Sequence, residues 1–185
     1  WLLNESYFWV RLKMGGLPLT HIKHPDLAHA DFWRVSPDGY FYLLRGYQED
    51  CLETLAETHK VRSPGTGIDL TIPVWRVAEF LLRSEELARS MYEDGFTMLV
   101  RCQWDGLEGR ELFVFNSRRI LFDNHRCEAL NVITEGRFTQ DAIENLLPEV
   151  VKKLTNSLYE HFDFFEPPEK FFDEEITLMR TGRLT

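Results

Sequence analysis

Residues 30–45 read ADFWRVSPDGYFYLLR, in which two runs of β-forming residues flank Ser36-Pro37-Asp38-Gly39. Proline presets φ at the start of a turn, and Asp-Gly tolerates the backbone conformation that a tight reversal needs. The stretch therefore predicts a β-hairpin with strands at residues 30–35 and 40–45.

The segments on either side of this hairpin predict a third strand and a long helix. Residues 7–13 are rich in β-forming side chains and should form a strand that ends before Gly15-Gly16. Polar residues 48–60 are interpreted as a loop region that could hold a short helix at 51–58. A helix is expected to start near Thr71 and Pro73, with Thr71 as a candidate cap, and to end at Gly95.

The next stretch predicts a second hairpin. Residues 96–103 and 111–115 are apolar and β-forming, and the glycine-bearing connection at 104–110 should let them pair antiparallel, with Arg110 decorating the turn. A further strand is expected around residues 127–134, with a short one at 119–122 before it. The prediction totals five to seven strands.

The C-terminal third is predicted to be helical and acidic. Thr139 should cap a short helix through Leu146, and Pro148 should start a longer one with an apolar stripe reaching Phe162. A last helix follows Pro167-Pro168. Residues 141–176 contain ten acidic residues and three lysines, which give this segment a net charge of −7.

These elements indicate an α+β fold: a mainly antiparallel sheet packed against one long central helix and the C-terminal helices. At 185 residues with 44% hydrophobic side chains, the chain is long enough for one core. We expect a single domain over 1–185, with a possible sub-division into a β-rich part at 1–62 and a second part at 63–185. Because the chain begins with Trp1 rather than Met, we expect it to be a fragment of a longer protein.

Composition favours a cytoplasmic protein without a membrane span. Every apolar run is broken by charges well before about 18 residues, and the three cysteines form neither a CxxC pair nor a disulfide framework. The net charge of −9 makes the chain a poor general nucleic-acid binder, since such binding depends on Lys and Arg. Direct contact with nucleic acid is kept as an alternative on a local basic group formed by Arg118, Arg119 and Arg126.

The sequence lacks the motifs of well-known active sites. It has no Gly-x-Ser-x-Gly element, and Pro64-Gly65-Thr66-Gly67 lacks the Lys and Ser or Thr of a phosphate-binding loop, so no cofactor is predicted. The metal-binding candidates are His21, His24 and His29, whose spacing matches no metal motif. The catalytic candidates are Glu49 and Asp50, because paired carboxylates can act as acid and base or bind a metal.

A second set of residues is interpreted as a candidate surface for a ligand or a partner. Trp and Arg are favoured anchors at interfaces, and the neighbouring helix pair of Arg76 with Glu79 can equally be an ordinary surface ion pair. The set comprises Arg45, Tyr47, Trp75, Arg76 and Glu79.

Several segments carry a family resemblance. The chain contains PVWRVAE at 73–79, GLEGR at 106–110 and LYEHFDFF at 158–165, together with FWR at 32–34 and RGYQED at 45–50. These segments resemble a region downstream of the named domain in bacterial Schlafen/AlbA-type ATP-binding or transcriptional-regulator proteins. The resemblance implies an appended sensing, docking or oligomerisation module, with any nucleic acid bound through the upstream domain. It carries over no catalytic residue.

Three functions therefore follow as hypotheses. The first is a non-catalytic accessory domain that binds other domains of its own protein or a homo-oligomer partner. The second is a metal-dependent hydrolase or nuclease-like domain using Glu49 and Asp50. The third is a direct nucleic-acid-binding module.

Overall fold

The computed structural model describes residues 7–14, 31–50, 63–93, 95–114, 119–122, 124–163 and 165–181. Its main sheet has five strands in the order β2–β3–β1–β5–β7. The strands are β1 (Tyr7–Met14), β2 (Asp31–Ser36), β3 (Tyr40–Arg45), β5 (Thr97–Asp105) and β7 (Asn131–Thr139).

The predicted hairpin is confirmed. Strands β2 and β3 pair antiparallel, with Trp33 opposite Leu43 and Ser36 opposite Tyr40. Gly39 has a φ of 81° and its N–H donates to the Ser36 carbonyl at 3.1 Å. Glycine adopts this left-handed conformation without a steric penalty, and this explains why the turn could be predicted from local sequence.

The α+β class is confirmed, and the sheet has an unpredicted centre. Antiparallel pairs lie at both ends of the main sheet, β2 with β3 and β5 with β7. Between them, β1 runs parallel to both of its neighbours, β3 and β5. Parallel pairing joins segments that are distant in sequence, so no short turn motif predicts it.

The predicted hairpin between residues 96–103 and 111–115 is wrong. Strand β5 pairs with β1 and β7, whereas β6 (Glu111–Phe113) pairs in parallel with β4 (Gly67–Asp69) in a small second sheet. The glycine-bearing connection allows a reversal but does not determine which strand becomes the neighbour.

Two further strand predictions need correction. Residues 119–122 are irregular, and the strand expected at 127–134 begins only at Asn131. Before it, Cys127 and Arg126 form only isolated bridges, to Phe162 and Glu111.

Helix α1 (Ile72–Met91) is the predicted long helix and ends four residues before Gly95. Its buried face includes Val77, Phe80 and Leu81, and the Phe80 ring stacks on Phe41 of β3 at 5.4 Å. Alternate residues of β5 are buried on the face of the sheet that the helices cover. These residues are Met98, Val100, Cys102 and Trp104.

Three shorter helices follow in the described part of the chain. They are α2 (Gln140–Asn145), α3 (Leu147–Glu160) and α4 (Glu169–Thr181). The predicted cap is confirmed, since Thr139 accepts a hydrogen bond from the Ala142 N–H at 3.2 Å. Helix α3 lies against β7, where the Thr134 hydroxyl donates to the Leu154 carbonyl at 2.7 Å. Among the described residues, none of the helices is long and apolar enough to cross a membrane.

Candidate functional site

Arg110 lies at the centre of a buried ionic group. Its two terminal nitrogens donate to the two carboxylate oxygens of Asp50 at 2.7 and 2.9 Å. Its Nε donates to the Gly106 carbonyl at 2.7 Å, and Nη1 also donates to the Gly67 carbonyl at 3.1 Å. The guanidinium also lies 4.5 Å from the ring centroid of Tyr47, within the range of a cation–π contact. The prediction that Arg110 only decorates a turn is therefore wrong.

Two more carboxylates lie beside this pair. Glu49 follows β3 in a short 3-10 turn (Gln48–Asp50), and its Oε1 accepts from the Asp69 N–H at 2.8 Å. Asp69 Oδ1 accepts from the N–H and hydroxyl of Thr71 and from the Ile72 N–H. Asp69 thus takes the capping role for α1 that was predicted for Thr71, whose own side chain caps nothing. We call Tyr47, Glu49, Asp50, Asp69 and Arg110 the Arg110 cluster.

Burial changes the protonation of Glu49. Desolvation raises the pKa of its carboxyl from 4.5 to about 7, and the charges of Asp69 and Asp50 add to the shift. The Asp69 N–H bond opposes this increase only in part. Within the described part of the chain, Oε2 of Glu49 has no hydrogen-bond partner. Burial likewise raises the pKa of Tyr47, against the opposing charge of Arg110.

The cluster holds together segments that are far apart in sequence. Asp50 also accepts from the Gly65 N–H at 2.9 Å, so one carboxylate joins the 3-10 turn to the loop before β4 and to Arg110. Bidentate arginine–carboxylate pairs are among the strong hydrogen-bonded contacts in proteins. The geometry therefore makes the cluster an internal clamp.

The candidate catalytic residues Glu49 and Asp50 are adjacent in the fold but serve different partners. Asp50 is paired with Arg110, whereas Glu49 contacts the backbone at the start of α1. In the described ranges, no group of three or more His, Cys, Asp or Glu side chains could hold a metal ion.

Three of the candidate partner-binding residues come together at the start of α1. Arg45 at the end of β3 donates to Glu79 Oε2 at 2.8 Å, and Arg76 approaches the same oxygen at 3.4 Å. Burial opposes ionisation of Glu79, but the hydrogen bond and charge of Arg45, helped by Arg76, lower its pKa overall. The predicted Arg76–Glu79 ion pair is thus present, with Arg45 as an additional partner.

Trp75, on α1, instead contacts a group of charged residues around α4. Its indole Nε1 donates to Glu175 Oε2 at 2.9 Å, and Glu175 also pairs with Arg119 at 2.6 Å. Arg119 contacts Glu174 as well, and its guanidinium lies 4.6 Å from the Phe171 ring centroid. An open depression of about 620 Å³ lies beside this group.

The basic residues proposed for nucleic acid are therefore not equivalent. Arg119 is neutralised by two glutamates, and Arg126 is exposed, with its backbone N–H donating to Asp163 at 2.6 Å. Three predictions lie outside the described residues: Arg118, the histidines His21, His24 and His29, and the helix at 51–58. The expected sub-division near residue 62 also lies at the end of the range 51–62, which is outside the described residues.

Sequence reasoning missed a group of exposed apolar side chains on the hairpin. Phe32, Trp33 and Val35 on β2 are 58%, 66% and 37% exposed, and Tyr40 on β3 is 53% exposed. We call these four residues the hairpin patch. The sequence indicated their strands but not their exposure, because the position of β2 at the end of the sheet depends on pairing elsewhere. The available signal was the number of large rings in so short a segment.

Comparison with known proteins adds no assignment. No protein-family model, no curated protein and no solved structure matches the chain.

Proposed function

We propose that this chain is a non-catalytic docking domain that uses the hairpin patch to bind a protein surface. The observation that carries the proposal is the exposure of Phe32, Trp33, Val35 and Tyr40 on one hairpin. Aromatic side chains are enriched in interface cores, and clustered exposed apolar side chains mark interaction sites.

The arrangement of the patch fits a partner that meets the end of the sheet. In β2, Trp33 and Val35 lie on one face and Phe32 on the other, because side chains alternate along a strand. Phe32 makes an edge contact with Tyr42, 6.3 Å between ring centroids, which limits the space for its ring on that side. An ordered aromatic side chain loses little entropy on binding, and this favours docking.

The contacts of the Arg110 cluster support a role in folding. Arg110 and Asp50 are both almost fully buried and use their charged atoms on each other and on the backbone. A catalytic pair needs groups that face a substrate. The proposal therefore assigns no reaction and no cofactor to this chain.

The family resemblance supplies the expected setting. We propose an accessory domain of a bacterial cytoplasmic regulatory or nucleic-acid-associated protein, in which an upstream domain binds nucleic acid. The net charge of −9 supports that division of labour. The docking partner is then another domain of the same protein or a second subunit.

Photo-cross-linking in the full natural protein tests the proposal. A photoreactive phenylalanine analogue replaces Trp33, and a matched control replaces Glu160, which is exposed at the end of α3. We expect cross-links from position 33 to residues outside 1–185 or to a second copy, identified by mass spectrometry, and none from position 160. Cross-links from position 33 only to neighbours within its own fold would refute docking through the hairpin.

A further inference from the structure

Strand β2 is an end strand of the main sheet. Strand β3 occupies one side of it, and in the part of the chain that the structure describes no strand pairs with the other side. The outward N–H and C=O groups of such a strand can pair with another strand. Residues 31–36 contain neither Lys nor Pro, two residues that commonly protect exposed edges, and their two charged side chains, Asp31 and Arg34, have opposite signs.

On the basis of the proposed docking function, we infer that β2 pairs antiparallel with β2 of a second copy, about a twofold axis at Trp33. In this register Trp33 lies opposite Trp33 of the second copy. Phe32 lies opposite Arg34 of the second copy, and the symmetry repeats that pair. Each arginine therefore meets an aromatic ring, a favourable cross-strand combination.

The two neighbouring symmetric registers are less favourable. A shift of two residues toward the C-terminus places Arg34 opposite Arg34 of the second copy, and like charges directly opposite each other destabilise a strand pair. A shift of two residues toward the N-terminus keeps only residues 31–33 of the strand in the pairing. The register centred on Trp33 pairs residues 31–35 without a like-charge contact.

The size of the surface sets the strength of the association. A buried aromatic side chain covers about 150–250 Å², so the exposed parts of Trp33 and Phe32 supply roughly 100–150 Å² each. Two copies then bury well below the roughly 1,200 Å² of a standard interface. We therefore expect weak association that depends on protein concentration.

Disulfide trapping of the full 185-residue chain tests the register. Trp33→Cys and Val35→Cys are made separately in a Cys51→Ser background, while Cys102 and Cys127 are buried. Opposite residues of an antiparallel pair have Cα atoms about 4.5–5.5 Å apart, within disulfide reach. In the inferred register the two copies of position 35 are four residues out of alignment, roughly 13 Å apart.

Under oxidised glutathione we expect Trp33→Cys to form covalent dimers at least about tenfold faster than Val35→Cys. Sedimentation of the unmodified chain should show dimers that Trp33→Lys abolishes, with the melting temperature unchanged. Equal or faster trapping at position 35 would overturn the register, and a chain that stays monomeric at millimolar concentration would overturn self-pairing. In that second case, cross-links from position 33 to another domain in the natural protein would leave the docking function standing, and their absence would remove it as well.

Discussion

The Arg110 cluster and the hairpin patch reverse the usual distribution of residue types. The cluster buries three carboxylates and a guanidinium, whereas the patch exposes three aromatic rings and a valine. Charged groups are rarely buried unless they are paired, and large rings usually lie inside. The cluster is explained by the fold, since its hydrogen bonds join four segments. The described contacts of Phe32 and Trp33, by contrast, stay within the hairpin itself, and this difference motivates the docking proposal.

The largest effect should come from breaking the cluster. Arg110→Met removes the guanidinium and leaves Asp50 almost fully buried without its ion-pair partner, so we expect a loss of about 3–5 kcal/mol in the free energy of unfolding. Urea unfolding measures the loss. Arg83→Met is the matched control, because Arg83 pairs with Glu86 on the exposed face of α1 and should cost about 0.5 kcal/mol or less. Equal losses in the two variants would contradict the clamp.

The buried carboxyl of Glu49 should make stability depend on pH. Its pKa is about 7 in the folded chain, compared with the ordinary glutamate value of 4.5 in the unfolded chain. The folded state therefore binds the proton more tightly. The stability that Glu49 gains from this proton is complete below pH 4.5. It is lost as the pH rises from 4.5 through 7, and the loss amounts to about 3 kcal/mol in all. Glu49→Gln keeps an acceptor for the Asp69 N–H and should flatten the stability profile between pH 5 and pH 8.

Thermal and urea unfolding at the two pH values measure the difference between Glu49→Gln and the unmodified chain. Glu86→Gln, exposed on α1, serves as the control and should retain the original profile. A profile for Glu49→Gln that parallels the unmodified chain would show that Glu49 is not the group responsible.

The two regions also differ in how far the sequence could predict them. The hairpin strands and turn followed from Ser36-Pro37-Asp38-Gly39, and the start of α1 from Pro73, because both signals act over a few residues. The Arg110 cluster joins residue 110 to residue 50 across 60 positions, and the parallel pairing of β4 with β6 and the hydrogen bond from Gly65 to Asp50 bring them together. Exposure of Trp33 likewise depends on strand order. Local chemistry therefore predicted the elements, and non-local pairing determined the candidate sites.

Strand β7, the other end of the sheet, provides an intermediate case. The Phe138 ring folds back over Gly136, where an added Cβ would lie 2.5 and 2.6 Å from ring carbons. Gly136→Ala should therefore displace the ring and cost about 1–3 kcal/mol in urea unfolding. Phe138→Leu removes the ring, so adding Gly136→Ala to that variant should cost much less. Additive losses in this double-mutant cycle would mean that the ring is not the obstacle.

The smallest effect should come from the hairpin patch. Trp33 is 66% exposed, so Trp33→Thr, which keeps a β-forming residue, should change the free energy of unfolding by about 0.5 kcal/mol or less at dilute concentration. Trp104 is fully buried in β5, and Trp104→Ala should cost about 3–5 kcal/mol in the same assay. A small loss at Trp33 together with weakened association would separate binding from folding. If the Trp33 variant instead lost nearly as much free energy of unfolding as the Trp104 variant, the exposed ring would be needed for folding. The reason for assigning Trp33 to a partner would then be removed.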